Sequence, residues 1–347
     1  MKPLATADAL ARGKDPCLQI QVDLSAMLDG ELDAASVRRV MVHSDVCGSC
    51  REFLESIRTQ ARAHRSLADT GLIGGGPARN SADALRRQLV ENQKILGRIL
   101  YELGRGFILM GLSADFSREV SREPVPVPDM AQKGRNFLDE FERWAEGAGE
   151  VGDCTPWVAA KDLFSQSRLS TPAESLAKGQ RLLSECLALL DDHHEARIYL
   201  GLVHHVRGQR GLARKQFSLV LTGTGDLAMR GFALLNLANV HIDEGDFGGA
   251  IDLLQQLVAS GVIRKNPRFG MAYFNLALAC GLSGRFAEAQ TWFQRLHDEL
   301  PHKRAMVARE LTRRIQFVHL LRCHPEVEGQ FARDFPAWFP VRFRGAS

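Results

Sequence analysis

Along this chain apolar residues recur three and four positions apart, the period of helices that bury one face. The segments that carry this period are separated by stretches rich in glycine or proline. Over residues 15–68 the pattern predicts three short helices. Leu24, Met27 and Leu28 form a first stripe that Asp29-Gly30 ends, and a second helix begins near Asp33 with Val37, Val40 and Met41 on one face. A third, from about Gly48 to Leu67, carries Phe53, Leu54, Ile57 and Ala61. The glycines of GLIGGGPARNS then make residues 69–81 a linker. Over residues 82–122, Leu85, Leu89, Leu96, Ile99, Leu103 and Phe107 mark one long amphipathic helix, Ala82 to Leu112, whose apolar stripe must be buried against something. The prolines of EPVPVPD, from Glu123 to Asp129, forbid a helix and mark a boundary. Residues 123–170 read as a linker holding one more amphipathic patch, Phe137, Leu138, Phe141 and Trp144. Residues 171–325 are helical almost throughout, with a tail over 326–347. The fold class expected is all-α.

Within residues 171–325 the pattern repeats. Leu200-Gly201, Leu237-Ala238 and Leu276-Ala277 recur 37 and then 39 residues apart. Each pair is followed by a turn glycine (Gly208, Gly245, Gly284), an alanine (Ala213, Ala250, Ala289) and a bulky residue (Phe217, Leu254, Phe293). The small residues let two helices approach, and glycine permits the turn between them. This pattern resembles the tetratricopeptide repeat, whose unit is about 34 residues. Ala173 to Leu190 looks like the second helix of an earlier, degenerate unit, and Lys303 to Leu321 like a capping helix. The resemblance implies an α-solenoid that binds a protein or peptide on its concave, first-helix side, where Ile198, Leu202, His205, Leu235, Phe274 and Leu278 would lie. Asn236, Asn239 and Asn275 map to the same side. An asparagine there either hydrogen-bonds a bound peptide's backbone or pairs with its own scaffold.

Composition narrows the function classes. With 45% hydrophobic and 24% charged residues the chain is ordinary globular protein, and a net charge of +3 over 347 residues implies no general attraction to nucleic acid or acidic membrane. From His302 to the end there are nine Lys or Arg against four acids, either a basic docking face or a solvated helix surface. The stretch from Ile95 to Leu112 is the nearest to a membrane span, but Arg98, Glu102 and Arg105 interrupt it, each costing roughly 2.5 to 3.5 kcal/mol at the bilayer centre. The first residues, MKPLATADALARGKDP, lack the apolar run of a secretion signal, so the expected location is cytoplasmic, with no membrane contact.

Three short helices bury too little surface to stand alone and need a staple. Seven dispersed cysteines do not make a disulfide framework, but the segment HSDVCGSC sets His43, Cys47 and Cys50 around one predicted helix-to-helix corner. Zinc takes four ligands, typically thiolate and imidazole, in a tetrahedron. Cys17 is the candidate fourth, because one helix out and one back returns the chain near its starting height. A thioredoxin-like redox pair is the rival reading, but no strand precedes Cys47. His193-His194 and His204-His205 have no cysteine or carboxylate set beside them and read as ordinary helix residues. Cys154, Cys186, Cys280 and Cys323 are isolated.

Cys17, LSAMLDGEL and HSDVCGSC together resemble the zinc-binding anti-sigma factor domain, over about residues 15 to 112. The resemblance implies Zn2+ at Cys17, His43, Cys47 and Cys50, and an extracytoplasmic-function sigma factor as partner, kept from core RNA polymerase. It makes the helix Ala82 to Leu112 the fourth gripping element, with Leu89, Leu96, Ile99, Leu103 and Phe107 as the sigma-binding surface. Many members carry a transmembrane helix and an external sensor, whereas this chain carries repeats, which implies a signal from the cytoplasm. A bound metal serves as a structural staple or also as a redox switch, since oxidation that pairs two thiolates would release it. The expected function is therefore a zinc-binding regulator whose repeats act as sensor or scaffold. The alternative is a repeat scaffold with a purely structural zinc site and no part in transcription. An enzyme is not expected: there is no Gly-rich phosphate loop, and four protein ligands leave the metal no open position.

Overall fold

The computed structural model describes residues 17, 20, 23, 34–52, 54–56, 59, 63, 79–113, 116–117, 120, 124–126, 157–159 and 171–339. The first predicted stripe, Leu24, Met27 and Leu28, the linker's glycines, the patch from Phe137 to Trp144, and Cys154 lie outside these residues. Two compact units divide the chain, Met1–Tyr199 and Leu200–Ser347.

The first unit holds α1 (Ala34–Val46), α2 (Arg79–Leu112), strands β1 (Pro124–Pro126) and β2 (Trp157–Ala159), and α3 (Pro172–Leu189); α4 (His194–Val206) begins in it. Among the described residues the fold is all-α apart from this one ribbon, in which Val125 stands opposite Val158 in an antiparallel pair. The prolines that forbid a helix at 123–129 leave the extended conformation a strand needs, so part of the expected linker is paired. Thr171 starts α3 through a capping box: its hydroxyl accepts from the Glu174 N–H, and the Glu174 carboxylate accepts from the Thr171 N–H at 2.8 Å.

Helix α2 packs along α3 at unusually close range. Gly97, Gly104 and Gly111 recur every seven residues, and on α3 and its C-cap so do Leu176, Leu183 and Leu190. Gly97 faces Leu190, Gly104 faces Leu183, and Gly111 faces Leu176, so the two helices run antiparallel with leucines seated on bare backbone. A Cβ placed on Gly104 would lie 2.9 Å from Leu183 Cδ2 and 3.2 Å from Leu182 Cβ. The approach is reciprocal, because a Cβ on Gly179 of α3 would lie 2.8 Å from the Gly104 carbonyl oxygen. Each glycine costs a helix about 1 kcal/mol relative to alanine. That cost is tolerated because leucine packing against backbone on both sides replaces it.

Polar contacts fix the register. The Tyr101 hydroxyl donates to Glu195 at 2.6 Å, and its ring packs on His193 at 4.3 Å. Arg105 Nε donates to the Tyr199 hydroxyl at 3.1 Å. Burial, followed by the Glu195 carboxylate, holds the Tyr101 hydroxyl far above the ordinary phenol range, so it stays a donor.

The second unit contains hairpins in the predicted places: α4 leads into α5 (Arg210–Gly223), α6 (Leu227–Glu244) pairs with α7 (Phe247–Ala259), and α9 (Met271–Leu282) with α10 (Phe286–Glu299). The turn glycines have φ of 72° at Gly208 and 79° at Gly245 and Gly284, a left-handed conformation that a side chain would strain. Ala213, Ala250 and Ala289 are fully buried, as are Phe217, Leu254 and Phe293. The longer second spacing is taken up by the short α8 (Val262–Lys265) and a 3₁₀ turn at Pro267–Gly270.

Two expectations are corrected here. The single capping helix breaks at Arg314 into α11 (Arg304–Arg313) and α12 (Ile315–Arg322). The expected tail is structured through residue 339: α13 (Pro325–Asp334) and the residues after it bring Phe331, Phe335, Trp338 and Phe339 around Phe293, with ring centroids 5.6 to 5.9 Å away. Aromatic side chains at these spacings carry too much apolar area to leave in water.

Gly104→Val should therefore lower the stability of the first unit by about 1 to 3 kcal/mol, through overpacking against Leu183. By contrast Gly211→Ala, at a helical glycine of α5 with nothing within 4 Å of an added Cβ, should be neutral or stabilising. Thermal unfolding of the two variants checks this, and equal shifts would refute the close-approach account.

Candidate metal centre

The corner that brings the predicted ligands together is built by ordinary helix termination. Helix α1 ends with His43 in its last turn; the Cys47 N–H still reaches the His43 carbonyl at 2.8 Å, but Cys47 is itself non-helical, and a new helix starts at Gly48. The Cys47 carbonyl accepts from the Arg51 N–H at 3.0 Å, which places Cys47 at the cap of the new helix and Cys50 in its first turn. Arg51 then closes the corner, its guanidinium donating to the Ser44 and Asp45 carbonyls that the end of α1 leaves open. Cys17, Ile20 and Asp23 are each helical, and Arg39 of α1 pairs with Asp23 at 3.0 Å.

One ligand atom from each of Cys17, His43, Cys47 and Cys50 lies within 4.8 Å of all the others. Cys17 Sγ is 3.7 Å from Cys47 Sγ and 3.8 Å from His43 Nε2. Metal–sulfur bonds of about 2.3 Å in a tetrahedron set sulfurs about 3.8 Å apart, so these separations match the edges of a four-ligand shell. Three thiols and an imidazole are the donor set that zinc favours. Among the described residues no second such group occurs.

The thiols are not equivalent. Burial pushes the Cys50 thiol far above its usual range, and charge on Cys47 and Cys17 adds to the effect. Burial also raises Cys17, against the Ser49 hydroxyl, which pulls it down. For Cys47 burial acts upward too, but the Ser49 hydroxyl at 3.1 Å, the Cys50 N–H and the neighbouring thiols outweigh it, and the net shift is downward. Cys47 is thus the thiol most ready to meet a cation. Ser49 went unnoticed in the sequence, where it reads as filler between two cysteines.

The corner shares its core with α2. Val37, Val40, Met41, Cys47 and Cys50 pack with Ile99, Leu103, Phe107 and Met110. Lys178 of α3 reaches in, its ammonium 2.5 Å from the Asp45 carboxylate and 5.5 Å from the centre of the Phe107 ring. Leu96, Ile99, Leu103 and Phe107, expected as an open partner-binding stripe, are all at least nine-tenths buried, because α1 and α3 already cover that face. Leu89 lies in α2, with its side chain outside the described residues. On α2 the apolar residues left exposed are Val90 and Leu112, among the described ones.

The predicted asparagines make hydrogen bonds within the chain. Asn236 Nδ2 donates to the Phe232 carbonyl of its own helix at 2.8 Å, and Asn275 Nδ2 donates to Asn239 Oδ1 at 2.7 Å, tying α9 to α6. His193 accepts from the Ala196 N–H, His204 meets Gln209, and His205 meets Asp243, so these histidines do not converge. Cys186 and Cys280 are buried in helices, and burial raises both thiols, to about 12 and about 11.

Comparison with known proteins finds two matches. Residues 17–51 match the family described as "Putative zinc-finger", and residues 235–303 match the family described as "Tetratricopeptide repeat". The first span begins at Cys17 and ends just past Cys50; the second runs from within α6 through α7, α9 and α10. No curated protein matches the chain. The chain thus joins a zinc-finger-type segment with a metal-capable cluster to a protein-interaction repeat, and among the described residues no helix is long and apolar enough to cross a membrane.

Metal uptake should depend on pH in a defined direction. With Cys17 and Cys50 raised, both thiols are protonated near neutrality without metal, and binding must expel those protons. Affinity should therefore fall as pH is lowered, by about tenfold per pH unit for each proton released. Competition titration against a chromophoric chelator measures it, and a pH-independent constant would contradict the site.

Proposed function

We propose that the protein is a zinc-binding regulator that acts in the cytoplasm by sequestering an extracytoplasmic-function sigma factor, with the repeats receiving a second protein that sets the grip. The observation that carries this reading is the four-donor corner within a zinc-finger-type segment, sharing one core with α2. Zinc at Cys17, His43, Cys47 and Cys50 supplies a rigid tetrahedral staple when bound, and the protein's role involves no catalytic step. What this chain's residues do is hold α1 and the following helix at a fixed angle, with Arg51 and Asp45 bracing the corner.

One observation favours the rival reading, a repeat scaffold with a structural metal site: the face of α2 expected to meet a sigma factor is already occupied by α1 and α3. Under the regulatory reading α3 and the sigma factor compete for α2, and capture requires α3 to lift away. A partner of that kind must bind the opened form better than the closed one.

Co-expression with the sigma factor encoded beside this protein, followed by co-purification and zinc quantification, separates the two. The regulator should retain the sigma factor with one zinc per chain. Cys50→Ser should lose both while the repeat helices persist by circular dichroism. Leu183→Ala, which thins the α2–α3 seam, should raise the amount captured. Capture of none by either protein leaves the scaffold.

A further inference from the structure

The metal centre is not equally enclosed on all sides. His43, Cys47 and Cys50 are buried, at 0%, 3% and 3% exposure, whereas Cys17 is half-buried and Ser49, between the two cysteines of the corner, is exposed. Water therefore meets the four donors along the edge that joins Cys17 to Cys47. Ser49 stands on that edge. Its Oγ lies 3.1 Å from Cys47 Sγ and 3.7 Å from Cys17 Sγ, and the two sulfurs are 3.7 Å apart. One hydroxyl thus touches two of the four donors, which come from segments 30 residues apart in the chain.

Helix geometry explains how it gets there. Side chains tilt toward the N-terminus of their helix, and Ser49 is the second residue of the helix that Cys47 caps, so its hydroxyl is turned back onto the cap. Between a thiol and a hydroxyl either partner can donate. Metal ligation requires thiolates, which only accept, and the Ser49 hydroxyl is then the donor. Its one proton serves Cys47, the nearer sulfur, while the side chain lies across the approach to Cys17. Three thiolates and a neutral imidazole carry one negative charge more than a divalent cation neutralises, and a hydrogen bond to a thiolate disperses part of that excess. Groups that hydrogen-bond the ligands hold them in orientation and tune the metal they carry.

We propose that Ser49 is a positioning residue of the metal centre: its hydroxyl fixes the Cys47 thiolate and, standing over the solvent-facing edge beside Cys17, slows exchange of the metal. This role rests on the zinc-binding reading and not on the identity of any protein partner. The three buried ligands fix where the cation sits, and the exposed serine sets how fast it leaves.

The test uses the full chain, loaded with Co2+ for its thiolate charge-transfer absorption and with Zn2+ for the rate of transfer to a chromophoric chelator. Ser49→Ala should move the absorption to longer wavelength, because a thiolate without its donor gives up charge more readily, and should speed zinc transfer about tenfold. Ser49→Thr keeps the hydroxyl and should restore both. Gly48→Ala, at an exposed neighbour with nothing within 4 Å of an added Cβ, should change neither. The metal-free melting temperatures of the unaltered chain and Ser49→Ala should agree. Ser49→Ala with absorption and transfer unchanged overturns the role, as does a Ser49→Thr that behaves like Ser49→Ala. A lowered metal-free melting temperature with the absorption in place also overturns it, by making Ser49 a helix-start residue only. A chain that takes up neither cation removes the metal centre and this role with it, whereas uptake without any effect of Ser49→Ala removes this role alone.

Discussion

A helix seldom keeps four glycines in its second half, and α2 does so because two separate surfaces must reach its backbone. Gly97, Gly104 and Gly111 admit the leucines of α3, Gly106 admits Met41 of α1, and Ile99, Leu103 and Phe107 between them close the core beside the cysteines. Little of this helix's circumference is left for solvent there. α2 is therefore the rod on which the metal corner and α3 are both mounted. Lys178 crosses between them, paired with Asp45 on one side and lying over Phe107 on the other. Asp45 is nearly inaccessible, so losing Lys178 would cost more than breaking a surface pair.

This arrangement divides stability unevenly along the chain. The hairpins of the second unit close on their own apolar residues, with Phe217, Leu254 and Phe293 fully buried beneath small partners. The corner at Cys47 brings three thiols and an imidazole together, where a bound cation would replace thiol protons. A metal in such a site contributes directly to folding. A metal bound there would act on α1 and, through the shared core, on α2.

Much of this was legible in the sequence because it rests on local chemistry. The His43, Cys47 and Cys50 spacing fixes a corner by helix geometry alone, and the turn glycines fix hairpins because few other residues accept φ near 79°. What escaped depended on partners distant in the chain. The stripe from Leu96 to Phe107 announced that it would be buried but not by what, and its cover, α3, lies some seventy residues onward. The glycine heptad of α2 has its meaning only beside the leucine heptad of α3, and neither is conspicuous alone. Residues 326–339 looked like a tail because their aromatics have no helical stripe of their own; they are core only because Phe293 stands opposite.

The asparagines sharpen what the repeats are for. A peptide lying on the first helices would ordinarily find amide side chains waiting for its backbone. Here Asn275 is buried and donates to Asn239, and Asn236 is turned back on its own helix. Breaking the Asn275–Asn239 bond to engage a ligand would strand a buried amide, at about 1 to 3 kcal/mol, and would loosen the join between α6 and α9. The Asn275–Asn239 pair thus helps set the spacing of α6 and α9.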